Sequence, residues 1–148
     1  MEITINCVYF ISGHTDLSIK EFNSIYVPLI DKEIEKGSKF VVGDAPGVDI
    51  MAIEYLYNKG VNNVVIYHIG DSPRLGELAD KITYSHIGGF TSHKAKDTAM
   101  TLASGHDIAY SRTLEQQKAL YGEKYRHRLS GTEQNIRRRG NKKCPNCQ

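Results

Sequence analysis

Short apolar runs alternate with helical segments along the first half of the chain, and this alternation constrains the fold more than any other feature. The runs at residues 7–11 (CVYFI), 40–42 (FVV) and 64–67 (VVIY) are typical of strands buried on both faces. Between them, apolar residues recur at helical spacing over 22–34 and 48–56. This β-α-β-α-β order predicts a doubly wound, mainly parallel sheet with helices on both faces, a Rossmann-like α/β fold.

Local signals mark where the predicted helices begin and end. Ser18 and Glu21 have the spacing of a capping box at the start of the first helix. Gly37 and Gly60 are suited to end the first and second helices. Pro28 lies inside the first helical segment and has no backbone N–H, so we expect a kink there or two abutting helices.

The second half of the chain is less regular. Its pattern predicts, in order, a short helix at 75–81, a short strand at 82–85, a helix at 93–103 capped by Ser92, a strand at 107–111, a partly helical insertion at 112–125 and a final helix from 130 to about 139. We therefore expect one α/β domain over residues 1–139. A mobile tail, 140–148, would follow it.

Composition places the chain among globular proteins. Of its 148 residues, 40% are apolar and 24% are charged, which is ordinary for one folded domain and not for disorder. No apolar run approaches the roughly 20 residues of a membrane span. Residues 1–6 lack the basic start and apolar stretch of a secretory signal. We expect a cytoplasmic protein that has no membrane partner.

The chain has three cysteines, Cys7, Cys144 and Cys147. An odd number is not a disulfide framework, and a reducing cytosol is the simplest setting. Cys144 and Cys147 form a CxxC pair, which is half of a structural zinc site. The alternatives are a site shared by two chains, a redox pair or an unstructured tail. The tail is favoured because only Gln148 follows the pair, so we expect no metal.

Basic residues crowd the last quarter of the chain, although the net charge is only +2. The favoured interpretation is a solvated helix face and a frayed tail. The alternatives are a basic rim around an anionic ligand and a segment that binds nucleic acid. The residues are Arg126, His127, Arg128, Arg137, Arg138, Arg139, Lys142 and Lys143.

The loop at residues 43–49 (GDAPGVD) is the most informative candidate site. Ligands of open α/β sheets bind at the carboxyl ends of the strands, and this loop joins a predicted strand to a helix whose free N–H groups can face a phosphate. Gly43 and Gly47 permit close backbone approach. Asp49 either complements the helix dipole or accepts from a ribose hydroxyl. An ordinary strand–helix turn is the alternative, because isolated glycine loops are weak signals.

Residues 130–132 (SGT) form a second candidate anion site at the start of the final helix. Ser130 and Glu133 also have capping-box spacing, and the cap is the favoured interpretation. Glu133 can instead serve as a general base if it lies in the cleft.

His14, Arg74 and Arg112 follow predicted strands and are candidates for contact with an anion. A histidine there can donate to a phosphate or transfer protons near neutral pH, and a surface histidine is an equal alternative. The arginines can pair bidentately with phosphate oxygens, although most loop arginines are merely solvated. The other histidines have no metal-ligand spacing.

Three motifs, in order, give the chain a family resemblance. They are residues 10–14 (FISGH), residues 42–49 (VGDAPGVD), and residues 107–110 (DIAY) followed by 130–132 (SGT). Together they resemble the SLOG superfamily of Rossmann-like nucleotide-binding proteins, over about residues 7–139. The resemblance is nearest to the small members related to the YpsA proteins and to the fold of DNA-processing protein A.

The resemblance implies a nucleotide ligand, and it is incomplete at two places. Asp44 stands where the family has a second glycine, and the insertion between residues 111 and 130 is absent from compact members. LOG phosphoribohydrolases, a related group, cleave the base from a nucleoside monophosphate. Their Pro-Gly-Gly-x-Gly-Thr-x-x-Glu motif is only partly present at residues 130–133. Other SLOG domains sense nucleotide-derived signals such as cyclic ADP-ribose species, and SLOG proteins often dimerise.

The sequence therefore predicts binding of a nucleotide or nucleotide-derived ligand at the carboxyl edge of the sheet, with no other cofactor required. Hydrolysis of an N-glycosidic bond by Glu133 or Asp49 is the second hypothesis, and nucleic-acid binding is the third. We expect a bulky residue at position 47 to abolish ligand binding and to leave the fold intact. The predicted ligand-binding residues are Ser12, Gly13, His14, Gly43, Asp44, Ala45, Gly47, Val48, Asp49, Arg112, Ser130, Gly131 and Thr132.

Overall fold

The computed structural model describes residues 7–122 and 131–139. Their strands and helices are, in order, β1 (Val8–Ser12), α1 (Ile19–Glu35), β2 (Lys39–Val42), α2 (Val48–Asn58), β3 (Val64–Ile69), β4 (Ser85–Phe90), α3 (His93–Ala103), β5 (His106–Ala109), α4 (Leu114–Tyr121) and α5 (Gly131–Arg139). A short 3-10 turn, Gly76–Leu78, lies between β3 and β4. The predicted alternation of strands and helices is confirmed.

The five strands form one sheet in the order β4-β3-β2-β1-β5, and every neighbouring pair is parallel. The chain steps outward from β1 to β4 and then returns to place β5 on the other side of β1. The direction of winding therefore changes between β1 and β5, and the crevice outside the carboxyl ends of such strands is where open α/β sheets bind ligands. The predicted Rossmann-like α/β fold is confirmed.

Helices cover both faces of the sheet because successive strand residues point to opposite sides. Ile11 and Val42 pack with α1 and α2 in the larger core cluster. On the opposite face, Phe10 and Val41 pack beneath Met100 of α3. Helix α5 packs beside α3 and β5 on that second face. Helix N-termini on both faces of the sheet therefore lie near the carboxyl ends of the strands.

Helix α1 runs unbroken through Pro28, contrary to the expected kink or pair of helices. The proline removes the N–H that would bond to the carbonyl of Ser24. Both residues are exposed, so water can satisfy that carbonyl. The Ser18–Glu21 capping box predicted from the sequence is present at the start of this helix.

The region between β3 and α3 departs most from the prediction. The expected strand at 82–85 lies instead at Ser85–Phe90, and the expected short helix is reduced to the 3-10 turn. Ile82 is 5% exposed and packs into the core from the loop, so its burial signals packing and not a strand. Strand β4 is an exposed edge strand, and it therefore lacks the apolar pattern that marks the inner strands.

Cys7, just before β1, is disulfide-bonded, which the odd cysteine count had not led us to expect. Cys144 and Cys147 lie outside the described residues, as does the rest of the predicted tail. Within residues 7–122 and 131–139, no helix is both long enough and apolar enough to cross a bilayer.

The hydroxyl of Tyr26 on α1 joins the ends of the two strands at the switch point. It donates to the carbonyl of Ser12, 2.7 Å away, and accepts from the backbone N–H of Tyr110 at 2.9 Å. The side chain is fully buried, so water cannot replace either bond. These two bonds fix the separation of the β1 and β5 ends.

Replacing Tyr26 with phenylalanine removes both bonds and leaves two backbone groups unpaired beside the core. We expect Tyr26→Phe to lower the free energy of unfolding by about 1–3 kcal/mol, measured by chemical denaturation. Tyr57→Phe is the matched control, because Tyr57 is 37% exposed and packs through its ring against Tyr84. If Tyr26→Phe lowers the free energy of unfolding by no more than Tyr57→Phe does, the result would contradict this role.

Candidate functional site

The loops after β1 and β2 pack directly on each other at the carboxyl edge of the sheet. A Cβ atom added to Gly13 would lie 2.4 Å from Cγ2 of Val48 and 2.5 Å from the hydroxyl of Tyr26. The Val48 N–H donates to the carbonyl of His14 at 3.3 Å. The first predicted loop is thus in contact with the start of α2, and Gly13 is required for that contact.

Gly47 has a structural requirement of its own. Its φ is +83°, a conformation that other residues rarely adopt, and an added Cβ would lie 2.5 Å from the carbonyl oxygens of His14 and Thr15. Because those obstacles are backbone atoms, they have little freedom to move. The expectation that a bulky residue here leaves the fold intact is therefore wrong, and position 47 is unsuitable for a binding test.

The N-terminus of α2 differs from those of α1, α3 and α4. The N-cap residues of those three helices are Ser18, Ser92 and Thr113, and each of these side chains accepts a hydrogen bond from its helix. The N-cap of α2 is Gly47, which has no side chain, and no side-chain cap bond is made there. The first-turn amides of α2 other than the Val48 N–H, which donates to His14, and the positive end of the helix dipole are suited to an anion.

Asp49 lies in the first turn of α2, but its carboxylate turns back into the protein. Oδ2 accepts from the backbone N–H of Ala45 at 3.1 Å, and it would lie 2.7 Å from a Cβ added to Gly43. Burial raises the pKa of Asp49 to about 7, against the lowering effects of the Ala45 N–H and the Lys96 ammonium. Asp49 therefore exchanges a proton near neutral pH.

Asp44 is saturated by a single partner. Its carboxylate accepts from the backbone N–H of Arg74 at 2.8 Å and from the Arg74 guanidinium at 3.2 and 3.0 Å. Burial alone would raise the pKa of Asp44, but the bonds from Arg74 outweigh that effect and hold the pKa below its usual value, so the group stays ionised. Asp44 thus fastens the loop after β3 to the loop after β2. Arg74, a candidate phosphate partner, has a side chain that is still 55% exposed.

Lys96 is a site residue that sequence reasoning missed. It lies on α3 and is 3% exposed, and its ammonium would be 3.3 Å from a Cβ added to Gly43. Asp97, beside it, has a pKa raised by burial against the effects of Lys96, Arg138 and Asn135. The only signal in the sequence was a lysine one turn before Met100 on the apolar side of a helix, and surface lysines often have that spacing.

His14 is held in its neutral form. Its Nε2 accepts from the backbone N–H of Arg112 at 3.0 Å, so the ring proton resides on Nδ1. Burial and the neighbouring Arg112 charge lower the pKa of His14 despite the opposing effect of Asp16 and Glu21. A neutral imidazole offers only its Nδ1–H as a donor.

Arg112 is engaged in ion pairs within the protein. Its guanidinium lies 2.6 Å from a carboxylate oxygen of Asp16 and 3.6 Å from one of Glu21, and its side chain is 5% exposed. The structure thus brings Arg112 to the edge beside His14, as predicted. A role as a cationic clamp on a ligand would require these pairs to rearrange.

Helix α5 runs parallel to α3, and two contacts fix its direction. At its end, the Arg139 guanidinium lies 2.9 Å from Asp107 and donates to the carbonyl of Ser104, just after α3. One turn earlier, Asn135 bonds to Asp97 near the start of α3. The N-terminus of α5 therefore faces the same edge as the N-terminus of α3.

Three of the four residues predicted at that N-terminus are described. Gly131 begins α5, Thr132 is 4% exposed, and Glu133 lies 3.5 Å from Arg137 on the same helix. Ser130 lies outside the described residues, so its predicted cap or anion role stays a prediction. The start of α5, at Gly131 and Thr132, thus lies at the same edge as the loop at 43–49.

The described part of the basic segment makes contacts within the domain. Arg137 pairs with Glu133, Arg138 donates to Asn135 at 2.6 Å, and Arg139 is buried against Asp107. These contacts give α5 a structural role. The remaining basic residues, Arg126, His127, Arg128, Lys142 and Lys143, lie outside the described residues.

The comparisons with known proteins give no match: no protein-family model, no curated protein and no solved structure corresponds to this chain. In the part of the chain that the structure describes, no three His, Cys, Asp or Glu side chains are arranged to hold a metal ion. His68 and His86 contact each other between β3 and β4, with ring nitrogens 2.8 Å apart.

The raised pKa of Asp49 makes stability depend on pH. Between about pH 4, where the unfolded carboxyl titrates, and about 7, where the folded one does, the folded protein holds the extra proton. Stability therefore falls as pH rises through this window.

We expect Asp49→Asn to remove this dependence. The stability of the variant relative to the native chain should rise with pH through the window by up to roughly 1.4 kcal/mol per pH unit. Denaturant unfolding of both proteins at several pH values measures the difference. Asp80→Asn, at an exposed position, is the control. If the stability difference between Asp49→Asn and the native chain does not change with pH, the raised pKa of Asp49 is contradicted.

Proposed function

We propose that this chain binds a nucleotide or nucleotide-derived ligand at the carboxyl edge of its sheet, and that it is related to the SLOG proteins. The observation that carries the proposal is the start of α2, which has no side-chain cap and lies beside the switch point between β1 and β5. Phosphates are the anions most often bound at such helix termini in open α/β sheets.

Further features of the same edge support a phosphate-bearing ligand. The loops at 12–14 and 43–49 are in contact, and the N-terminus of α5 faces the same edge. The edge also holds His14 as a neutral donor and Arg74, whose side chain is about half exposed while its guanidinium bonds to Asp44. A nucleotide needs donors for its phosphate and for its ribose and base, and these loops supply them from several elements.

Thermal unfolding in the presence of nucleotides, NAD and cyclic ADP-ribose species tests the proposal. A ligand of the folded state raises the apparent melting temperature, by an amount set by its concentration and affinity. Mass spectrometry of small molecules released from the denatured protein identifies a ligand that co-purifies. Absence of both stabilisation and a co-purified nucleotide would reject the proposal.

Hydrogen exchange locates the bound ligand. We expect the backbone amides of residues 43–50 to exchange more slowly when the nucleotide is present, because the phosphate accepts from the first turn of α2. The first turn of α1, already capped by Ser18, is the internal control. Protection confined to regions other than 43–50 would place the ligand elsewhere.

Hydrolysis of an N-glycosidic bond is the second candidate function, and Asp49 favours it. A buried carboxyl group with a pKa of about 7 can give or take a proton at neutral pH. We expect a panel of nucleotides incubated with the protein to release free base and ribose phosphate, detected by chromatography, if this activity is present.

The Asp49→Asn variant separates binding from catalysis. Its amide cannot transfer the proton, so turnover should fall by about 100-fold or more while ligand-induced stabilisation remains. Glu133→Gln is the second variant, because Glu133 was the other candidate carboxylate. Intact ligand recovered from the native chain would assign the site to binding alone.

A further inference from the structure

The sheet register places Ser12 beside Gly43 on the face that α3 covers. Phe10 and Val41 are paired residues of β1 and β2, and both pack beneath Met100. Side chains two residues further along each strand point to the same face. Ser12 and Gly43 are those next residues, at the carboxyl ends of their strands.

Helix α3 places Lys96 above the same position. It crosses from β4 to the parallel strand β5, so it runs opposite to the strands. Lys96 precedes Met100 by one turn, about 6 Å of helix, and Ser12 and Gly43 follow Phe10 and Val41 by two residues, also about 6 Å. The 3.3 Å between the Lys96 ammonium and a Cβ placed on Gly43 agrees with this arrangement.

Two polar groups of this cluster are buried without good partners. The hydroxyl of Ser12, a residue 6% exposed, has no hydrogen bond in the described part of the chain. The Lys96 ammonium makes a long contact of 3.5 Å with His93 Nδ1 and a long ion pair of 3.8 Å with Asp97 Oδ1. Buried polar groups, and charges above all, are normally satisfied, so the cluster is incomplete as it stands.

An anion completes the cluster, and a phosphate oxygen is the anion that matches the proposed function. A base or sugar has no charge to pair with an ammonium, whereas a phosphate accepts from a lysine and a hydroxyl together. The position that a Cβ would take at Gly43 lies 3.3 Å from the Lys96 ammonium and 2.7 Å from Asp49 Oδ2, so a phosphate oxygen bound beside Gly43 would approach both groups.

The carboxyl groups around the cluster do not oppose an anion at full strength. Asp44 is neutralised by Arg74. Burial raises the pKa of Asp49 to about 7, so this carboxyl group carries less charge near neutral pH than an ordinary aspartate, and burial also raises the pKa of Asp97. The positive charge of Lys96 is therefore only partly compensated within the protein.

We propose that Lys96 and Ser12 bind a phosphate of the ligand above Gly43, so that the phosphate site extends from the first turn of α2 to α3. This inference deepens the proposed function and rests on it for the nature of the ligand. It assigns the discrimination between phosphorylated and unphosphorylated ligands to two side chains on the α3 face.

Titration with inorganic phosphate and pyrophosphate at constant ionic strength tests the site directly. The native chain should bind pyrophosphate, and Lys96→Met, which keeps the length of the side chain and removes its charge, should bind it about 10 to 100 times more weakly. Ser12→Ala should bind pyrophosphate about 2 to 10 times more weakly than the native chain. Lys94→Met, at an exposed position on the same helix, is the matched control and should bind as the native chain does.

The unliganded melting temperature shows whether each variant is folded. Removing a buried charge with a side chain of similar size is expected to leave the fold intact or to stabilise it. If Lys96→Met does not fold, Ser12→Ala decides the matter, because it removes only the unpartnered hydroxyl. Native-like pyrophosphate affinity in the deciding variant, or no pyrophosphate binding by the native chain, overturns the inference.

The inference and the proposed function fail in different ways. If pyrophosphate binding depends on Lys96 but no nucleotide binds more tightly than pyrophosphate, the phosphate site is supported and the proposed nucleotide-binding function is rejected. Suppose instead that a nucleotide binds, and that Lys96→Met weakens the binding of the nucleotide and of its unphosphorylated nucleoside equally or does not weaken either. The proposed function is then supported and the phosphate site is rejected. Selective weakening of the nucleotide alone supports both.

Discussion

The hydroxyl of Tyr26 makes the two hydrogen bonds on which the geometry of the edge depends. By bonding to Ser12 at the end of β1 and to Tyr110 after β5, it fixes the two strands between which the winding reverses. Gly13 fits against the same hydroxyl and against Val48, so the start of α2 is placed by the same contact. The candidate loops are thus arranged by one buried side chain from α1.

The two aspartates of the loop at 43–49 have pKa values shifted in opposite directions. Asp44 meets a guanidinium and a backbone N–H, which outweigh the cost of its burial and keep it ionised. Asp49 is buried with one backbone N–H and a more distant ammonium, so the cost of burial dominates. The first aspartate therefore stabilises the loop, whereas the second is available for proton exchange.

The inner strands and their helices could be predicted from the sequence because burial on both faces leaves a strong apolar pattern. The Ser18 and Ser92 caps were predictable for a similar reason, since a cap depends on residues within one turn. Strand β4 was misplaced because an exposed edge strand has no such pattern. Pro28 misled because its effect on a helix depends on whether water reaches the freed carbonyl.

The candidate site was only partly predictable. Sequence reasoning selected the loop at 43–49 and the glycines, which are consecutive along the chain. It missed Lys96 and the Asp44–Arg74 bonds, because these contacts join residues that are far apart in the sequence. It also treated Gly47 as a position that lets a ligand approach the backbone, whereas the structure shows that the carbonyl groups of His14 and Thr15 occupy that space.

The strand order has a consequence for how the molecule folds. Strands β1 to β4 pair with neighbours along the chain, but the other side of β1 contacts β5 and the residues that follow β5, which lie far downstream in the sequence. The Tyr26–Tyr110 bond spans 84 residues and the His14–Arg112 bond spans 98. Contacts of such sequence separation form late, because the entropy of closing long loops is lost before they are made. On a ribosome, the first four strands would emerge well before β5, so the carboxyl edge between β1 and β5 would be the last part of the sheet to acquire its shape.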